Sequence, residues 1–221
     1  MTLKTQLSIA IAAGLLGAPA VQAQDNWQND MQASKERWEQ VRNATVSAQE
    51  LMSGDVNNNF NMLGDVRNLI LDPTSSRLEY VLYDVPYFYS LYGDDDGFVR
   101  FDNVAIERGS DMNVDVRIDD EAYDFRKDQL ELTRSQAQGR LVDDILDGEV
   151  RFSGGEMRGV DDVLFDPQSG QIQYFVVEMD DESLFGNDNR LVPASRVRYD
   201  QRGDYWTVSD PMDTEFQIWV Y

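Results

Sequence analysis

The sequence predicts a mainly β protein: two tandem small antiparallel β-barrels, with an N-terminal amphipathic helix and a partly helical linker. Three observations carry that reading. The first is an internal repeat. ELMSGDV (50–56) aligns with DILDGEV (144–150), and LDPTSSRLEYVLYD (71–84) aligns at the same offset with FDPQSGQIQYFVVE (165–178). SLYGDDDGFVRFDNV (90–104) follows in the same order against SLFGNDNRLVPASRV (183–197), within one residue of that offset. Three blocks so placed mark a tandem duplication. The second observation is the strand character of each copy, rich in branched and aromatic residues between tight turns. The third is economy: five or so short strands within about 70 residues cannot make a broad sandwich, and a small closed barrel fits.

Each element follows in order. MTLKTQLSIAIAAGLLGAPAVQA (1–23) reads as a secretory signal, with Lys4 at the positive end and a small-x-small site at Val21-Gln22-Ala23. Its apolar stretch, Leu7 to Leu16, is shorter than the roughly 20 residues a bilayer crossing needs, although an uncleaved anchor is the alternative. The expected mature chain begins at Gln24, without stable membrane insertion, in the periplasm or outside the cell. Residues 24–48 form the N-terminal segment, with a helix expected from Asn26 to Ala48. There Trp27, Met31, Ser34, Trp38, Val41, Thr45 and Ala48 recur at alternating spacings of four and three, on one face.

Repeat 1 spans 49–117. A polar linker at 118–143 offers Tyr123, Leu130 and Leu141 for docking, and repeat 2 with a C-terminal strand fills 144–221. Within repeat 2, Val160 to Phe165 reads as a strand, and Asp166-Pro167-Gln168-Ser169-Gly170 as a turn. Gln171 to Met179 reads as a strand apolar on both faces near its middle. Leu191 to Tyr199 reads as further strand, Gly203 as a turn and Tyr205 to Val208 as the return. Phe216, Ile218 and Val220 alternate with Gln217, Trp219 and Tyr221 in a last strand.

Composition then removes whole classes of chemistry. There is no histidine and no cysteine, so no His base, Cys nucleophile, disulfide or zinc site of the usual kind. Forty-one acidic against 19 basic side chains give a net charge of −22, which opposes nucleic-acid phosphates and anionic membranes. Asp outnumbers Glu 29 to 12 and Arg outnumbers Lys 16 to 3. That bias reads as adaptation to high salt (halophilic character), or as an ordinary acidic exported protein.

Two sets of residues carry the family resemblance: Leu51, Gly54, Val56, Gly64, Leu71, Asp72 and Leu78, then Ile145, Gly148, Val150, Gly159, Phe165, Asp166, Gly170 and Ile172. Both resemble the PRC-barrel family, named for the soluble barrel of the photosynthetic reaction-centre H subunit and shared with ribosome-maturation factors. The resemblance covers most of 50–117 and 144–210. It implies a small-barrel fold and a habit of serving as an assembly or docking module; it supplies no catalytic residues. The chain departs from both relatives: it lacks the membrane helix of the reaction-centre subunit, and a secreted acidic protein fits poorly with a ribosome factor. Ser76 also stands where repeat 2 has Gly170.

Candidate sites follow. Asp94, Asp95 and Asp96 are weak candidates for calcium or magnesium, but their consecutive spacing lacks the alternation of a calcium loop. The match to Asn187-Asp188-Asn189 makes turn chemistry the favoured reading. Interaction candidates are Trp27, Met31, Trp38 and Val41 on the helix, and Tyr87, Phe88, Tyr89 and Tyr92 in a cluster specific to repeat 1. Each set either packs against the chain's own barrels or anchors a partner. No cofactor is expected. The expected function is an exported, non-catalytic binding, scaffolding or assembly module with a protein partner. A carboxylate-dependent hydrolase and a weak calcium-responsive envelope stress protein are the alternatives.

Overall fold

The computed structural model describes residues 20–58, 61–72, 74–84, 96–108, 114–118, 141–178, 189–200, 202–203, 205–209 and 219–220, for 20–31, 96 and 219–220 as backbone only. The fold is mainly β, with two curled sheets. Helix α1 (Ala20–Ala44) leads into strand β1 (Val46–Ser47) and helix α2 (Ala48–Met52). Repeat 1 continues with β2 (Asp55–Asn57), β3 (Met62–Asp72), β4 (Arg77–Asp84) and β5 (Asp96–Arg100). A 3-10 turn (Phe101–Asn103) precedes β6 (Val104–Arg108) and β7 (Val114–Ile118). Repeat 2 runs through the same sequence of elements. Helix α3 (Val142–Leu146), β8 (Glu149–Phe152), β9 (Met157–Phe165), β10 (Ile172–Glu178) and β11 (Asn189–Pro193) come first. A 3-10 turn (Ala194–Arg196), β12 (Val197–Asp200), β13 (Tyr205–Val208) and finally β14 (Trp219–Val220) complete it.

The sheets match strand for strand. The first is ordered β5-β4-β3-β2-β7-β6, and the second β11-β10-β9-β8-β13-β12, with β14 added beside β11 and β1 laid on β9. Within each, β2 pairs with β7, and β8 with β13, in parallel; the other ladders are antiparallel. The expected antiparallel barrels are corrected to that extent, because β7 and β13 return alongside β2 and β8 in the same direction. Register shifts break the β3–β4 ladder at Val66/Asn68 and Ile70/Leu71, and the β9–β10 ladder at Ile172/Tyr174 and Val176/Val177. Bulges of this kind increase local twist, which is how such short sheets curl.

The Leu-x-x-Gly spacing has a local cause. Gly54 N–H donates to Leu51 O at 3.1 Å, closing the helix end, and a Cβ at Gly54 would lie 1.8 Å from the Val114 carbonyl oxygen. Only glycine fits there. Gly148 N–H makes the same 3.1 Å bond to Ile145 O. In each repeat the glycine carbonyl then accepts from the next long strand, from Val66 N–H at 2.9 Å and from Val160 N–H at 3.2 Å.

The repeats are fused by exchange. Ser47 of β1 pairs with Leu164 of β9, and at the equivalent place Leu141 bridges Ile70 of β3. Leu78 N–H donates to Gly170 O and Ile172 N–H to Ser76 O, both at 2.9 Å, around the Arg77–Gln171 bridge. Each half therefore lends the other its first segment and its turn, as partners across an internal two-fold do. One continuous core results, joining Leu51, Leu71, Val81, Phe101 and Val116 to Ile145, Phe165, Phe175 and Val177.

Two expected elements are corrected. The helix expected to reach Ala48 stops at Ala44, because Val46 and Ser47 pair with β9 and Ser47 caps a new helix. Leu191 to Tyr199 is not one strand: the chain turns through the Ala194–Arg196 3-10 segment directly after Pro193 and re-emerges as β12. The expected strand at Tyr205–Val208 forms as read, and of the last strand Trp219–Val220 pairs with Arg190 and Asn189. Among the described residues, no helix is long and apolar enough to cross a membrane.

Candidate interaction site

The apolar stripe of α1 has a seat in this structure. Trp38 and Val41 pack against buried Leu164, Val176 and Leu191, with Tyr174 beside them, on the outer face of the repeat-2 sheet. This explains the two-sided apolar character of β10. Phe175 and Val177 point into the common core while Val176 faces the helix. Ser34 and Thr45, on the same stripe, are buried too.

The end of α1 is tied down on both sides. Thr45 Oγ1 donates to Val41 O at 2.8 Å. From β6, Arg108 Nη2 donates to Arg42 O at 3.0 Å and also to Thr45 O, so a guanidinium sits on the last helix carbonyls where positive charge is favoured. Glu50 lies 3.8 Å from both Arg42 and Arg108. Ser47 and Glu50 form a reciprocal capping box on α2: Glu50 N–H donates to Ser47 Oγ at 3.2 Å, and Ser47 N–H to Glu50 Oε2 at 3.4 Å.

Under this junction sits Asp162. It lies directly opposite Val176 across the β9–β10 ladder, hence on the helix-covered face. Its carboxylate accepts from Ser47 Oγ–H, from Gln49 N–H at 3.4 Å and from Val163 N–H at 2.8 Å. Burial pushes its carboxyl up to about 6, against the opposing pull of those three hydrogen bonds, and neighbouring Asp161 adds to the rise. Asn68 holds the equivalent place in repeat 1. Its Oδ1 accepts from Leu69 N–H at 2.8 Å and from Asp143 N–H at 3.4 Å, while its Nδ2 donates to Asp143 Oδ2 at 2.8 Å. Burial, then Asp147 and Asp144, hold the Asp143 carboxyl above its usual range.

Of the sequence-derived candidates, Trp38 and Val41 come together in the seat. Trp27 and Met31 belong to α1, but their side chains lie outside the described residues. Tyr87, Phe88, Tyr89, Tyr92, Asp94 and Asp95 also lie outside them. Asp96 opens β5, its backbone paired with Asp84. Among the described residues, no group of three or more carboxylates is placed to hold a metal ion.

Sequence reasoning missed Ser47, Arg108 and Asp162. The Ser47-x-x-Glu50 spacing was a readable capping signal. Asp162 had a fainter one: with the repeats superposed, Asn68 and Asp162 are polar at the same interior position of strands otherwise rich in Val, Leu and Ile. No family model matches the sequence, and no curated protein matches it either.

Proposed function

We propose that the protein is an exported, non-catalytic docking module built from two PRC-barrel-like repeats, acting on a protein partner in the periplasm or outside the cell. The observation that carries this reading is the seat on β9, β10 and β11, an apolar surface covered by a helix from outside the repeat. Such a surface can take an amphipathic helix of the same chain or of a partner. The barrel reading draws support from the two Gly-x-Val motifs, Gly54 to Val56 and Gly148 to Val150. Both occupy the same helix–turn–strand position in sheets whose six repeated strands follow the same order. A chain without His or Cys, carrying a charge of −22, suits recognition of a basic protein better than chemistry.

The test uses the chain from Gln24 onward with a photo-crosslinking residue at Tyr89 or at Trp38, irradiated in periplasmic extract. The expected result is a discrete adduct that unmodified protein competes away. Absence of a competed adduct at both positions would rule out the docking reading.

A further inference from the structure

We infer that the junction between the two repeats is an assembly surface, on which repeat 1 accepts repeat 2 of a second copy whenever its own cannot reach. The surface is two-fold and reciprocal, as an interface between identical subunits is. Ser47 pairs with Leu164, and Leu141 bridges Ile70; Ser47 and Leu141 are the N-caps of the short helices α2 and α3. Gln49 N–H of α2 donates to Asp162 at 3.4 Å, and Asp143 N–H of α3 donates to Asn68 at 3.4 Å. At the turns, the two 2.9 Å bonds from Leu78 N–H to Gly170 O and from Ile172 N–H to Ser76 O mirror each other. Side chains flank them from both halves: Arg77 Nε donates to Ser169 O at 2.6 Å, and Gln171 Nε2 to Ser75 O at 2.8 Å.

Neither repeat closes its core without the other. Ala48 and Leu51 of α2 and Val142 and Ile145 of α3 lie buried in one cluster with Leu71, Phe101, Phe165 and Phe175. The halves meet at van der Waals contact: a Cβ on Gly170 would fall 2.7 Å from the Phe101 ring and 3.2 Å from Leu78 Cβ. A single repeat of this size leaves that apolar face in water. A half kept from its own partner therefore pairs with the equivalent half of another molecule.

What keeps the native chain to itself is the connection at 119–140, which runs from Ile118, the end of β7, to Leu141 on Ile70. The registers fix how far it must reach. Arg117 is level with Asn57, and Asn57 with Met62; Ile70 lies eight residues beyond Met62 along β3. At about 3.3 Å per residue that is roughly 26 Å. Residues 119–140 are long enough to span it and hold the halves at roughly millimolar effective concentration, so pairing within one chain wins. Four residues in their place reach at most about 18 Å. The inference concerns this junction alone and stands apart from the docking reading.

Deleting 121–138 from the otherwise full chain leaves 119, 120, 139 and 140 between Ile118 and Leu141. The expected result by sedimentation is a folded assembly of two or more chains, with a melting temperature that rises with concentration, while the native chain stays monomeric. A folded monomer that melts as the native chain does would overturn the inference. Should the shortened chain not fold, a mixture of two full-length variants decides. Leu71→Asp breaks the core in repeat 1 and Phe165→Asp in repeat 2, both at positions of 0% exposure. Refolded together, the intact repeat 1 of one chain and the intact repeat 2 of the other should form a two-chain species with a cooperative melt that neither variant shows alone. A mixture that melts as the sum of its parts overturns the inference.

Discussion

Asn68 and Asp162 are the same residue position used twice, each reaching across the internal two-fold to the first turn of the other repeat's helix. The amide faces Asp143, and the carboxylate faces the Ser47 hydroxyl. The amide must both donate and accept, which an ionised carboxylate cannot do. The two junctions are therefore alike in backbone, and in each burial holds a carboxyl above its ordinary range, that of Asp143 beside Asn68 and that of Asp162 itself.

Asp162→Asn tests the cost of the carboxylate. The native state binds the Asp162 proton more tightly than the unfolded chain does, with a carboxyl near 6 instead of 3.8. Its stabilising contribution is therefore complete below 3.8, declines as pH rises toward 6, and is lost above that. The variant should be more stable than the native chain at pH 7.5, by about 2–3 kcal/mol for a shift of this size, with the gain vanishing by pH 4. Urea unfolding at both values checks this; a gain of equal size at pH 4 would point to packing instead of ionisation.

Asn68→Asp is the converse. It sets a carboxylate where Nδ2 now donates 2.8 Å to Asp143 Oδ2. A lost hydrogen bond and a like-charge pair should cost roughly 2 kcal/mol at neutral pH. Adding Asp143→Asn should restore most of it. A variant as stable as the native chain at pH 7.5 would show that this contact contributes nothing to the junction.

The paired turns give a third expectation. Ser76 holds a positive φ of 53° where Gly170 holds 69°, and both carbonyls accept from the opposite repeat. Ser76→Gly relieves a left-handed backbone at a non-glycine residue and should be neutral or stabilising by up to about 1 kcal/mol. Gly170→Ala should lose more than that, since its Cβ would fall 2.7 Å from the Phe101 ring as well as strain the backbone. Thermal melts of the two single variants should move in opposite directions or leave Ser76→Gly in place.

Salt supplies the fourth. At a charge of −22 the folded chain repels itself, and screening within about 10 Å at 0.1 M relieves that. The melting temperature should rise appreciably with added sodium chloride. A flat response to high concentrations would exclude a surface adapted to salt.

Much of this architecture was written locally. The block alignment located both copies, and Asp166 to Gly170 reads as a turn from its Pro and Gly; in the structure the Asp72 and Asp166 carboxylates each accept from the backbone two residues on, at 2.9 Å from Thr74 N–H and 3.1 Å from Gln168 N–H. What escaped was non-local. Nothing near Val46 announces its pairing with Phe165, so the helical spacing ran on to Ala48 unchecked. Asp162 escaped for a different reason: among 29 aspartates, burial of one is decided by the helix that covers it, and composition cannot show that.

Trp38 provides the last test, because it separates the helix as a structural cover from the helix as a recognition element. Its indole is partly buried on Leu164, Val176 and Leu191, so truncation leaves a void on one side of that cluster only. Trp38→Ala should cost roughly 2 kcal/mol, below the loss for a wholly buried aromatic. The change should lower the melting temperature, with the protein remaining monomeric at every concentration tested by sedimentation. Loss of helix packing should also release Ser47, so the Asp162 carboxyl should titrate closer to 3.8 in this variant. If melting is untouched while an oligomer or a captured partner disappears, the indole spends its time on another molecule, and the seat on repeat 2 is only its resting place.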